Sequence, residues 1–114
     1  MDWNSIAQIA ELDRLELESH DHPVLLFKHS TRCSISSTAL NRIRSARPGE
    51  LGERTVVYVL DLLSYRPVSD AITARYGIHH ESPQAILLLA GKPVYHASHL
   101  GILPSEIRQA TAVF

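Results

Sequence analysis

The single cysteine of the chain, Cys33, lies in a polar segment whose side chains can support thiol chemistry. Arg32 directly precedes it, His29 lies four positions before it, and Ser36 follows three positions after it. The arginine adds positive charge beside the sulfur. The imidazole can stabilise a thiolate or accept the thiol proton, and the serine hydroxyl can donate to a thiolate. These residue types at this spacing favour nucleophilic attack by the sulfur.

Each of these residues also has a purely structural explanation. A lone cysteine is most often an inert, buried residue. Serine suits the first turn of a helix, and a histidine at a strand end is commonly a satisfied structural residue. The segment from Lys28 to Ser36 is polar around the sulfur, however, which favours partial exposure. Cys33 is therefore the predicted catalytic residue, with Arg32, Ser36 and His29 as supporting residues.

One cysteine cannot form an internal disulfide, so any redox role must use a single thiol. Ser36 occupies the position of the second, resolving cysteine in a Cys-x-x-Cys motif, and a serine cannot resolve a mixed disulfide. A small thiol captured by Cys33 would stay attached until a second small thiol removed it. The sequence therefore predicts a one-thiol exchange cycle.

Composition and charge exclude several classes of function. The net charge of −1 gives no electrostatic case for binding nucleic acid or an anionic membrane. A lone cysteine suits the reducing cytoplasm, and the first residues lack a basic stretch followed by a long apolar one. The histidine pairs match no known zinc spacing, so no metal site is predicted. A length of 114 residues fits a single domain over 1–114, which we expect to be cytoplasmic.

Apolar patterning predicts an alternation of helices and strands. Residues 5–15 carry apolar side chains at helical spacing, and Ser5 with Gln8 could form a capping box. Three continuous apolar runs are typical of strands covered on both faces. They are Val24–Phe27, Val56–Leu60 and Ala85–Leu89.

Three further helices and an edge strand complete the pattern. Helix signals cover Cys33–Arg44, ended by Pro48-Gly49, the residues around Val68–Arg75, ended by Gly77, and a last helix from Pro104 with Ile107 and Ala110 inward. A tight turn at Gly91-Lys92 leads into an edge strand, Pro93–Ala97. This order predicts a thioredoxin-like α/β fold: a central four-stranded mixed sheet with helices on both faces and an extra N-terminal helix.

In that plan Cys33 begins a helix, where backbone N–H groups and the helix dipole stabilise an anion. Pro83 directly precedes the third apolar run, and a proline at this position of the fold is typically cis and offers backbone to a substrate. An ordinary trans turn is the alternative. His99 follows the hairpin in a region that would border the same groove. It could contact a carboxylate of a small thiol or be a plain surface histidine.

Three stretches resemble the bacillithiol-system redox proteins of the YtxJ type, or monothiol bacilliredoxins. They are Phe27–Ser36, Arg66–Ser69 leading to His80–Gln84, and Val94–His99. The resemblance implies a thioredoxin fold, Cys33 as the active thiol and removal of bacillithiol from bacillithiolated proteins. Members often have proline directly after the cysteine, where this chain has Ser34.

The resemblance also implies the substrate, and the groove of the predicted fold supplies the residues around it. Bacillithiol would be a co-substrate and bacillithiolated proteins the partners, with no permanently bound cofactor. Ser82, Pro83, Ser98 and His99 would bind the substrate. Two rivals remain: a non-catalytic thioredoxin-like module that binds peptides, and a cluster-carrying monothiol glutaredoxin. Glutaredoxins of that kind have Gly-Phe between the cysteine and the serine, where this chain has Ser34-Ile35.

Overall fold

A mixed five-stranded sheet organises the protein, whose computed structural model describes residues 4–47 and 49–112. The strands are β1 (Asn4–Ile6), β2 (Val24–His29), β3 (Val56–Asp61), β4 (Gln84–Leu89) and β5 (Lys92–Ser98). The helices are α1 (Glu11–Glu18), α2 (Ser34–Arg44), α3 (Arg66–Tyr76) and α4 (Pro104–Thr111), with a 3-10 turn at His99–Gly101. No helix among these residues is long and apolar enough to cross a membrane.

The order of strands in the sheet is β1, β3, β2, β4, β5. β3 runs parallel to both β1 and β2, whereas β4 is antiparallel to β2 and β5 is antiparallel to β4. Consequently β2 ends, β4 begins and β5 ends at the same edge of the sheet. The segments that follow β2 and β5, and the one that precedes β4, are thus brought together by topology.

The central strands are buried on both faces because side chains alternate along them. Leu26 and Ile86 point to one face and pack with apolar residues of α1 and α3. Leu25, Phe27 and Leu87 point to the other face and pack with α2 and α4. Two apolar layers sandwich the sheet, which is the thioredoxin-like arrangement that the sequence predicts.

The predicted helix over residues 5–15 is wrong in its position. Asn4–Ile6 is a strand in which Ile6 pairs with Leu60 and is buried, so the sheet has five strands rather than four. The helix starts only at Glu11 and buries Leu12 and Leu15. Three residues are too few for a strand period to stand out from a helical one.

The predicted capping box of Ser5 and Gln8 is also wrong. The carboxylate of Glu11 accepts hydrogen bonds from the backbone N–H groups of Ala7 (2.9 Å) and Gln8 (3.1 Å). Glu11 therefore ties the end of β1 to the first turn of α1. A first-turn carboxylate at this position also suits the positive end of the helix dipole.

The remaining predicted elements are confirmed within a few residues. Gly77 ends α3 in the left-handed conformation, with φ 66°, as expected of a glycine at that position. Ile107 of α4 is buried, and Ala110 packs partly buried against the same core. Helix α2 ends at Arg44, and Pro48, expected to stop it, lies outside the described residues.

Candidate active site

Cys33 is held between the end of β2 and the start of α2. Its backbone N–H donates to the carbonyl of Ser30 (3.2 Å), and its carbonyl accepts from Ser37 (3.1 Å), the first bond of the helix. Cys33 itself is the extended N-cap residue and is partly exposed. The sulfur-bearing residue thus lies where the first N–H groups of α2 lack intrahelical acceptors and favour negative charge.

Ser36 bonds to the end of β2 rather than to the sulfur. Its side chain is fully buried, and its Oγ lies 2.7 Å from Nδ1 of His29. The same oxygen accepts a hydrogen bond from the backbone N–H of Ser30 (3.0 Å). Since Ser36 Oγ accepts this hydrogen bond, the hydroxyl proton of Ser36 remains available to donate to Nδ1 of His29. Ser36 therefore closes the Cys33 turn, and the expected donation to a thiolate does not appear among its hydrogen bonds.

The contact with Ser36 occupies Nδ1 of the His29 ring. Burial lowers its pKa, and the positive charge of Arg44 adds to that effect against a smaller opposing effect of Asp61. A neutral ring that accepts from Ser36 at Nδ1 carries its proton on Nε2. In this state Nδ1 is not available to take the thiol proton. His29 supports the turn, and Arg32 lies exposed beside Cys33.

The Ser82–Pro83 peptide bond is cis, which is the conformation that the sequence predicts. Pro83 is buried directly before β4, at the edge of the sheet where β2 ends. The carbonyl of Pro83 accepts a hydrogen bond from the backbone N–H of His99 (3.0 Å). Ser98 ends β5 opposite Gln84. The four residues predicted to bind substrate are thus gathered at the edge that also carries Cys33.

The His99 side chain lies 3.6 Å, Nε2 to Oε2, from the carboxylate of Glu81, and both side chains are about half exposed. His99 adopts φ 55°, a left-handed conformation that is uncommon for residues other than glycine. The 3-10 turn that holds it is fastened to α2, because Arg42 donates to the carbonyls of Leu100 (3.0 Å) and Ile102 (3.3 Å). His99 therefore borders the site in a fixed backbone setting beside an acidic neighbour.

Lys28, one position before the end of β2, makes contacts that sequence reasoning missed. It is fully buried, and its ammonium is hydrogen-bonded to groups on α3 and to His80. Burial lowers its pKa to about 8, with a partly offsetting effect of Asp70 and a smaller lowering effect of Arg66. The available signal was its position: Lys28 lies two residues after the apolar Leu26, so both side chains point to the same covered face of the sheet.

Comparison with known proteins shows the family and the fold of this chain. Residues 4–107 match the family model described as monothiol bacilliredoxin BrxC. A solved structure of a thioredoxin-fold protein, whose description proposes an oxidoreductase activity, is 30% identical, covers 94% of this chain and 91% of its own, and has a TM-score of 0.80.

Two thioredoxins share the fold at lower identity. The Fasciola hepatica protein is 14% identical, with a TM-score of 0.70 and coverage of 96% of this chain and 97% of its own. The Plasmodium falciparum protein is also 14% identical, with a TM-score of 0.71 and coverage of 97% and 100%. Because the sequence identity is this low, these two matches show a shared fold and nothing more. The family match, by contrast, spans the Cys33 turn, cis Pro83 and His99.

Proposed function

The chain belongs to the monothiol bacilliredoxin BrxC family, and from this premise we propose that it is a monothiol thiol-disulfide oxidoreductase. It removes bacillithiol, or a similar small thiol, from mixed disulfides on proteins through Cys33. The observation that carries the proposal is the position of Cys33, partly exposed at the start of α2 and at the same sheet edge as cis Pro83. Ser36 in place of a resolving cysteine restricts the chemistry to one thiol.

The first step is attack by the Cys33 thiolate on the bacillithiol sulfur of the mixed disulfide. A new disulfide forms between Cys33 and bacillithiol, the old one breaks, and the client protein leaves as a thiolate that takes up a proton from solvent. In the second step a bacillithiol thiolate attacks the bacillithiol sulfur held on Cys33. Bacillithiol disulfide leaves and the Cys33 thiolate is restored, so electrons balance without a further oxidant or reductant.

The surrounding groups have distinct roles in this proposal. The N–H groups at the start of α2 favour the thiolate of Cys33 before attack and after release. The backbone of Ser82, before cis Pro83, pairs with the extended segment of the client. Ser98 and His99 border the space beside it, where His99 can meet a carboxylate of the small thiol.

Intact-mass spectrometry tests the proposal. The protein is mixed with a bacillithiolated client, and we expect one bacillithiol to move to Cys33 while the client appears reduced. The Cys33→Ser variant must leave the client modified, and Ser34→Ala, which alters the exposed neighbour but keeps the sulfur, must still transfer. Equal transfer by Cys33→Ser would sink the proposal.

The alternative is a non-catalytic module whose groove holds a peptide. It predicts that the wild-type protein leaves the client modified and that Cys33 reacts slowly with iodoacetamide at neutral pH. Fast alkylation without transfer would instead point to a different small thiol. Repeating the experiment with clients carrying other small thiols separates these two outcomes.

A further inference from the structure

The ammonium of Lys28 links three parts of the fold. It lies 3.3 Å from the carbonyl of Ser69 and 3.3 Å from Oγ1 of Thr73, both on α3. Its third neighbour is Nδ1 of His80, at 3.2 Å. An ammonium has three hydrogens to donate, and all three have an acceptor in this arrangement. Lys28 thus joins β2, the strand that leads to Cys33, both to α3 and to the segment that leads to Pro83.

This contact depends on a neutral His80. The ring accepts from the ammonium at Nδ1 only when its proton is on Nε2. Burial and the charges of Lys28 and Arg66 lower the pKa of His80, while Asp70 and Glu81 act in the opposite direction. The neighbours therefore favour the state in which His80 is an acceptor.

The segment after His80 forms one side of the proposed substrate groove, and we call residues Glu81–Pro83 the groove wall. Two other contacts hold its ends. Gln84 donates from Nε2 to the carbonyl of His79 (2.9 Å), and His99 donates to the carbonyl of Pro83 (3.0 Å). Backbone pairing of Gln84 with Lys28 ties the end of the wall to β2, and the Lys28 to His80 contact adds a side-chain attachment at its start.

We propose that Lys28 and His80 are positioning residues that hold the groove wall in register with Cys33, an inference that rests on the proposed function. A buried ammonium without its acceptors is costly, so the pair favours one placement of the wall. The wall pairs with the client and not with a small alkylating reagent. Loss of the contact should therefore weaken client binding while the intrinsic reactivity of Cys33 stays the same.

The test compares two replacements of one residue. His80→Leu removes the acceptor, whereas His80→Asn places an amide oxygen near the position of Nδ1. For release of bacillithiol from a client, we expect His80→Leu to raise KM about tenfold with kcat within about twofold, as for loss of a hydrogen bond to a charged group. His80→Asn should keep KM within about twofold of wild type. Alkylation of Cys33 by iodoacetamide should be the same in all three proteins.

A second measurement separates failure of this inference from failure of the proposed function. Amide hydrogen exchange at His99, whose N–H donates to the carbonyl of Pro83 in the wall, needs no turnover, and it should be faster in His80→Leu and in Lys28→Met than in wild type or His80→Asn. Equal exchange in all four proteins would overturn the inference. So would a fall of kcat and alkylation rate together in His80→Leu, since that pattern indicates general damage to the site. If the wild type transfers no thiol but the exchange pattern holds, only the proposed function fails.

Discussion

The hydroxyl of Ser36 lies 2.7 Å from Nδ1 of His29 and also accepts the backbone N–H of Ser30. The residue that replaces a resolving cysteine therefore fastens the first turn of α2 to the end of β2. Cys33 lies within the loop closed by these bonds. The serine acts on the thiol through the backbone that presents it, and not through a bond to sulfur.

Replacement of Ser36 by alanine should lower the stability of the folded protein more than it lowers the rate of thiol transfer. The change removes a buried hydroxyl and leaves the Ser30 N–H without its acceptor, which should lower the free energy of unfolding by about 1–3 kcal/mol. Thiol transfer should slow but persist, because Cys33 and the N–H groups of α2 remain. Urea unfolding and transfer rates measure both effects. Ser37→Ala, at an exposed neighbour, is the control; complete loss of transfer in Ser36→Ala at unchanged stability would contradict this role.

Replacement of Ser36 by cysteine should convert the one-thiol cycle into a two-thiol cycle. Once bacillithiol is bound to Cys33, the introduced thiol can attack the Cys33 sulfur and release bacillithiol, leaving an internal disulfide. The measurement is release of free bacillithiol from the preloaded variant without added thiol. Wild type should hold its bacillithiol under the same conditions. Release from both proteins, or from neither, would count against Ser36 as the position of a resolving thiol.

The fold was largely predictable because its signals are local. Continuous apolar runs mark the three buried strands, and Gly77 and Pro104 mark helix ends. The short strand β1 was missed since Ile6 has a pattern that suits a helix as well as a strand. Only its pairing with Leu60, far along the chain, decides between the two.

The site was predictable in its members and less so in their contacts. Cys33 and Pro83 follow from their places relative to strands, so element order is enough to find them. The partners of Lys28 lie 41–52 positions away in the chain, and no local sequence pattern predicts such contacts. The same holds for the pairing of His99 with Glu81, which depends on how two loops meet.

Removal of the Glu81 charge should improve use of an anionic thiol. The Glu81 carboxylate lies 3.6 Å from His99 and repels a carboxylate that approaches the imidazole, so Glu81→Gln should lower KM for a bacillithiolated client by about threefold, as expected for one exposed charge–charge interaction. A client that carries an uncharged small thiol should show no change. Glu53→Gln, at the opposite edge of the sheet, serves as the control variant. An equal change of KM for both clients, or no change for either, would mean that Glu81 and His99 do not interact with the carboxylate of the small thiol.

Stability at alkaline pH should report the buried ammonium of Lys28. Its pKa is lowered from 10.5 to about 8 in the folded protein, mainly by burial. Between these values the unfolded chain holds the extra proton, so the free energy of unfolding rises with pH through this window. The integrated gain is about 3–4 kcal/mol, from a shift of about 2.5 pKa units at 1.4 kcal/mol per unit.

The measurement is urea unfolding across that pH window for wild type and for Lys28→Met. Wild type should gain stability relative to Lys28→Met as pH rises, because only wild type carries a buried amine that loses its proton more easily in the folded than in the unfolded protein. Lys92→Met, which removes an exposed lysine at the start of β5, should run parallel to wild type. Parallel curves for wild type and Lys28→Met would show that the Lys28 amine titrates alike in the folded and unfolded states, which is incompatible with an ammonium confined among Ser69, Thr73 and His80.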